Sequence, residues 1–168
     1  FLLAGAAQPV DAVVVDFAGD DEQEDGGLSV MDLAAATGAA YVRSRGLRAT
    51  VSELASVVAQ RTEAAEYRAP ARLLVLVGLE RALALSPFEP YGDVTSQESV
   101  MAAQLAAVLR DGAEVGVHVV ISADSTRTVE RRLGPDLLQE LSLRIAGSAA
   151  SLQDLTATTG SYGDVPPL

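Results

Sequence analysis

The sequence predicts an α/β domain: a mostly parallel sheet with helices on both faces. Three observations predict it. Short aliphatic runs at Ala12–Asp16, Arg72–Val77 and Val115–Ile121 alternate with longer stretches of helical spacing, which is the βαβ rhythm of a parallel sheet with right-handed crossovers. These runs lack the alternation of a strand with one wet face, so they read as strands covered on both sides. The 49% apolar content is Ala, Val and Leu, with no Trp and three Phe, the small aliphatic mixture used between helices and a sheet. A chain of 168 residues can bury one substantial core, so a single domain is expected over 1–168.

Taken in order, Phe1–Ala7 reads as the tail of a helix, broken by Pro9. The strand Ala12–Asp16 ends in a carboxylate and leads into Gly19–Gly27, a loop with a dense acidic run. Val30–Ala36 is expected to form a short helix. Ala39–Val42 is expected as a short strand leading to Arg43, Arg45 and Arg48. Thr50, with Glu53 three residues on, fits a capping box. The helix it opens runs to about Arg68, with Val51, Leu54, Ala55, Val58 and Thr62 along one face, and Pro70 ends it.

After the strand Arg72–Val77, the two prolines of Ser86–Asp93 mark a surface loop. Thr95 or Ser96 caps a helix to Arg110, whose inward stripe is Met101, Leu105, Val108 and Leu109. Gly112 ends it, and the strand Val115–Ile121 follows. Thr126–Leu133 is a short basic helix, and Gly134–Pro135 starts another with proline in its first turn. Leu141–Gly147 is expected as the last strand, Ser151–Ala157 as a helical turn and Gly160–Leu168 as a frayed tail.

Charge and composition exclude several functions. Net charge is −11, and every one of the twelve basic residues is Arg. No lysine is therefore available to hold a phosphate or form a Schiff base. An acidic chain is a poor general binder of nucleic acid, so any DNA contact has to be local or made elsewhere. Cysteine is absent, which removes disulfides and thiolate metal sites. No stretch reaches the ~20 apolar residues needed to span a bilayer. Phe1–Ala7 lacks the basic start of a signal peptide, and with no initiating Met the expectation is a fragment of a longer, cytoplasmic protein. Membrane association would come through other parts of it.

Three places can carry chemistry, all at strand ends, where ligands of open α/β sheets sit. Asp16 is placed to hold a ribose hydroxyl, or to cap the turn that follows. The glycine-rich turn that must precede a complete dinucleotide site is not present. The run Leu73–Val77 has the form of a Walker B strand, which ends in a metal-holding Asp and a water-polarising Glu. Here Gly78 and Leu79 take those positions. Glu80 comes one residue late, and strand alternation turns it to the other face. In Ser122-Ala-Asp-Ser-Thr126, Ser122 and Ser125 can donate hydrogen bonds to a phosphate, or Asp124 or Ser125 can cap the helix that follows. Arg127, Arg131 and Arg132 form a basic patch suited to a phosphate or a neighbouring subunit, or a solvated helix face. His118, the single histidine, reads as a packed strand residue. A P-loop, G-x-x-x-x-G-K-[ST], is nowhere in the chain.

Several of these segments resemble one family. Glu114-Val-Gly-Val-His118, three apolar residues and a small polar turn resemble the A-x-G-I-H-hydrophobic-x-A-T-Q segment of the FtsK/SpoIIIE group of P-loop ATPases. Leu143-Arg-Ile-Ala146 is similar to that family's R-I-A strand, and Val13–Asp16 with Phe17-Ala-Gly19 to its I-D-P-K-G segment. Gly78-Leu-Glu-Arg81 resembles a G-L-x-R variant found in actinobacterial members. The resemblance runs from Asp11 to about Gly160.

It implies a RecA-like fold, the C-terminal portion of an ATPase module whose P-loop lies upstream of Phe1. It also implies ATP and Mg²⁺ as cofactors of the complete module, with like subunits or sister modules in a hexameric ring. The cargo it implies is double-stranded DNA, or a secreted protein in the related secretion ATPases. Asp16, Gly78, Ser122, Asp124 and Ser125 would then line the nucleotide, with Asp124 where the family places a glutamine that senses the γ-phosphate. Glu80 is the remaining catalytic candidate, and no metal ligand is assigned. Arg127, Arg131, Arg132 and Arg144 would face phosphate or the next subunit. Two other readings stay open: a degenerate, non-hydrolysing module within a larger translocation or type VII secretion ATPase, and an unrelated nucleotide-binding α/β domain.

Overall fold

The structure, a computed structural model, describes residues 10–18, 28–83, 85 and 97–145. The expectations for 1–7, 19–27, 86–93, 95–96, 151–157 and 160–168 lie outside these residues. Among the described residues four strands form one all-parallel sheet in the order β2-β1-β3-β4. They are β1 (Asp11–Asp16), β2 (Ala40–Arg43), β3 (Arg72–Val77) and β4 (Val117–Ile121). The helices are α1 (Val30–Thr37), α2 (Leu47–Glu63), α3 (Gln97–Asp111), α4 (Thr126–Leu133) and α5 (Pro135–Glu140). The predicted α/β class with parallel strands is the observed one.

β3 is central, pairing with β1 from Asp11↔Arg72 to Asp16↔Val77 and with β4 from Arg72↔Val117 to Leu76↔Ile121. The pleat sends Val15, Leu74, Leu76 and Val117 to one face, where they meet Leu47, Val51, Leu54 and Val58 of α2 and Met101, Leu105 and Val108 of α3. Ala12, Val14 and Leu73 are buried outside this cluster, on the opposite face by strand alternation. Right-handed crossovers put α1 on that second face and α2 and α3 on the first.

Several local expectations need correction. α2 begins at Leu47 and not at Thr50, because a 3₁₀ turn, Ser44–Gly46, runs straight into it. Thr50 sits inside the helix with its hydroxyl donating to Gly46 O at 3.2 Å, and Glu53 pairs with Arg72 instead, at 3.0 Å. The helix stops at Glu63, short of Arg68, as Ala65 turns to a φ of 54°. β4 is not covered on both faces: His118 is exposed and Val120 is 37% exposed. It is the last strand of the sheet among the described residues. The expected final strand, Leu141–Gly147, is not formed over its described part, 141–145 (146–147 lie outside the described residues), where Arg144 folds back and donates to Leu138 O at 2.8 Å. Leu143 and Ile145 are left exposed there. A strand needs a neighbour's ladder, and this segment is held by the end of α5 instead.

α1 opens with a capping box that the sequence reading missed. Ser29 Oγ accepts from Asp32 N at 3.0 Å, and Asp32 Oδ2 accepts from Ser29 N at 3.1 Å and from Ser29 Oγ at 2.7 Å. The Ser29 hydroxyl, and then the Ser29 amide, hold the Asp32 carboxyl below its ordinary 3.8. A carboxyl lowered on folding adds stability above its unfolded pKa and loses it as pH falls through the folded one. Ser29→Ala should therefore return the Asp32 titration, followed by NMR, towards 3.8. An unchanged midpoint contradicts the assignment.

Candidate functional site at the carboxyl rim

The sheet order places β2 on one side of β1 and β3 on the other, with their crossover helices leaving to opposite faces. This is the topological switch point of an open α/β sheet, the place where a crevice opens beyond the strand ends. The ends of β1, β3 and β4 are laced together there. Phe17 N donates to Val77 O at 3.0 Å, Leu79 N to Ser122 O at 3.0 Å, and Ser122 N to Leu76 O at 2.8 Å. Asp16, Gly78 and Ser122, named from three distant stretches of sequence, are thus neighbours along one rim.

Asp16 is 5% exposed, and both its oxygens are engaged within the protein. Oδ1 accepts from Ala18 N at 2.9 Å, closing the turn after β1, and Oδ2 accepts from the Tyr41 hydroxyl at 2.9 Å. The geometry therefore supports the turn-capping role. Tyr41→Phe removes one of the two donors to a buried carboxylate. It should cost about 1–3 kcal/mol of stability, measured by denaturant unfolding; a neutral result would mean that the bond is not formed.

Gly78 follows β3 with a φ of 75°, and a 3₁₀ turn, Leu79–Arg81, begins at once. Strand alternation, which would turn Glu80 to the other face, does not extend to it, since β3 ends at Val77. The left-handed glycine swings the chain so that fully buried Leu79 enters the core. Glu80 returns to the rim, where its Oε1 lies 3.5 Å from the position a Cβ on Gly78 would take. Arg81 Nη1 ties this turn to Ala18 O at 2.9 Å.

Beyond β4, Ser122 and Asp124 are exposed. Ser125 is the N-cap of α4, its Oγ accepting from Thr128 N at 3.2 Å, and the same hydroxyl lies 3.2 Å from Asp124 Oδ1. The capping role thus falls to Ser125 and not Asp124. The three arginines of α4 divide. Arg127 and Arg131, one helical turn apart, are exposed, whereas Arg132 turns inward and donates from Nη2 to Glu80 O at 2.9 Å. Arg144 is tied to α5 through Leu138 O.

Mg²⁺ and ATP can be tested against this chemistry. Among the described residues no three of His, Cys, Asp and Glu gather as a metal site. Asp16 is already engaged, Gly78 and Leu79 offer no carboxylate, and Glu80 alone contributes an unpartnered buried oxygen, Oε2.

Tyr41 has no signal in the sequence, and Arg132, expected in the basic patch, takes a different partner. Tyr41 reaches Asp16 because β2 pairs beside β1 in the register Val14↔Tyr41 and Asp16↔Arg43, which no local pattern announces. Arg132 grips Glu80 because α4 packs on the Leu79–Arg81 turn. Its place in a basic run disguised it as one of three equivalent cations.

Fold and rim together define a parallel α/β domain whose polar strand-end residues meet at a topological switch point. No protein-family model matches the chain, and no curated protein matches it.

Proposed function

We propose that this chain is the C-terminal portion of a RecA-like, FtsK/SpoIIIE-type nucleotide motor module, with an implied role in ATP-driven movement of double-stranded DNA. The observation that supports it is the lacing of Asp16, Gly78 and Ser122 along one rim. The resemblance implied those three strand ends as one flank of a nucleotide site. The phosphate grip would come from a P-loop upstream of Phe1, and the ring from like subunits or sister modules that meet Arg127 and Arg131. ATP and Mg²⁺ belong to the complete module, which would act in the cytoplasm. Among the described residues no helix is long and apolar enough to cross a membrane.

A second reading, a non-hydrolysing interaction module of a larger translocation or secretion ATPase, is favoured by one observation. The position where a metal-binding aspartate belongs is a left-handed glycine, Gly78, and the neighbouring carboxylate, Asp16, is engaged. Under both readings the 168-residue chain releases no phosphate from Mg²⁺-ATP above background. Steady release abolished by Glu80→Gln would contradict that shared expectation and overturn the non-hydrolysing reading. Coding sequence upstream of Phe1 separates the motor from its rivals. A G-x-x-x-x-G-[KR]-[ST] segment within about 30 residues supports the motor, whereas a G-x-G-x-x-G contradicts it and points to an unrelated dinucleotide domain.

A further inference from the structure

Two buried side-chain atoms at the rim have no hydrogen-bond partner: Glu80 Oε2 and Arg132 Nε. They carry opposite charge, and they belong to residues that already touch, since Arg132 Nη2 donates to Glu80 O at 2.9 Å. Leaving a buried polar group unpaired is costly, more so when it is charged, and folded proteins keep few such groups without a reason. A guanidinium presents its Nε and Nη donors as a rigid planar fork that matches both oxygens of a carboxylate. Seating that fork on the Glu80 carboxylate takes a rotation of the two side chains together with a shift of α4. That arrangement satisfies both orphans and gives up the bond to the main-chain oxygen.

We propose that the Glu80–Arg132 contact is a two-position latch joining the 78–81 turn to α4. In the position seen, Arg132 holds the turn by its main chain and leaves a Glu80 oxygen unpaired at the rim. In the other, Arg132 neutralises that carboxylate and α4 shifts with it. Arg127 and Arg131 ride on the exposed side of the same helix, so the latch also sets where these two cations stand. It therefore couples the acceptor at the strand ends to the charge that the helix offers outside. The latch is a property of the chain itself and holds whether or not the chain belongs to a motor.

The test is ¹⁵N relaxation dispersion on the whole chain, with Glu80→Gln and Arg132→Lys as variants. The glutamine keeps the shape of Glu80 without its charge, and the lysine keeps the charge of Arg132 without the fork. The latch predicts microsecond-to-millisecond exchange in the wild type at the amides of 79–82 and 126–133, lost in both variants. It also predicts stabilities that do not add in the double variant, with the unfolding constant departing from additivity by about twofold or more. No exchange in the wild type, exchange that persists in Glu80→Gln, or additive stabilities would each overturn it. If Arg132→Lys does not fold, the exchange in Glu80→Gln decides alone.

Discussion

Leu76→Ala lowers the unfolding free energy by about 2–5 kcal/mol, the usual cost of emptying a fully packed leucine site. Leu76 is 0% exposed and stands in the central strand, in register with Val15 on one side and Ile121 on the other. Its face is closed by α2 and α3, so the cavity has rigid walls and little means of collapse. The melting temperature should fall by roughly 2–4 °C for each kcal/mol lost. Gly78 lies two residues further on, so the rim should loosen as well, with faster amide exchange across 78–81. Val120→Ala is the control: it lies on the outer face of β4, 37% exposed, and should change stability by no more than ~0.5 kcal/mol. Equal losses at the two positions would mean that the core is not where the structure puts it.

Gly78→Ala should cost more than the ~1–2 kcal/mol that a left-handed φ alone imposes on an L-residue. The φ is 75°, and a Cβ would stand 3.3 Å from Ala18 N, the same amide that donates to Asp16 Oδ1. Relieving that approach means moving a hydrogen-bonded main chain. Gly38→Ala separates the two effects, because Gly38 has a φ of 72° and nothing within 4 Å of its would-be Cβ. The excess loss at Gly78 over Gly38, measured by denaturant unfolding, reports the crowding at the rim. Equal losses would remove the close approach of β1 and β3 from the account. A carboxylate placed at 78 to rebuild a metal site meets the same obstruction, so this position is committed to the turn.

Much of the scaffold was legible in the sequence. The aliphatic runs at β1 and β3 read as strands because they are short, rich in Val and Leu and bounded by turn residues. The spacing of Met101, Leu105, Val108 and Leu109 marks the inward face of α3: the first three are buried, and Leu109 is partly buried against the same core. What escaped depended on contacts between distant segments. The burial of β4 was overestimated because an apolar run does not say whether the sheet ends beside it. The start of α2 was misplaced because the Thr50–Glu53 spacing imitates a cap, while the 3₁₀ turn before Leu47 depends on how β2 ends. The segment 141–145 has the letters of a strand without a ladder to join.

The rim shows the same division. Its membership was legible, because strand ends are where polar residues stand in a parallel sheet. The roles were legible only in part. Asp16 keeps the turn-capping role that its sequence position offers, through Ala18 N, while the Tyr41 hydroxyl that reaches it from β2 is announced by no local pattern. Glu80 came back to the site because one glycine adopts a left-handed φ, which makes alternation along the strand irrelevant after Val77.

The most direct test of the proposed nucleotide role is to map Mg²⁺-ATP onto the ¹⁵N-labelled chain by NMR at millimolar concentration. The account predicts small, non-saturating shifts confined to Ala18, Gly78–Arg81 and Ser122–Arg127. Such shifts fit a rim that offers one flank of a site without its phosphate loop. Shifts centred on the opposite ends of the strands, or none at any residue, would contradict it.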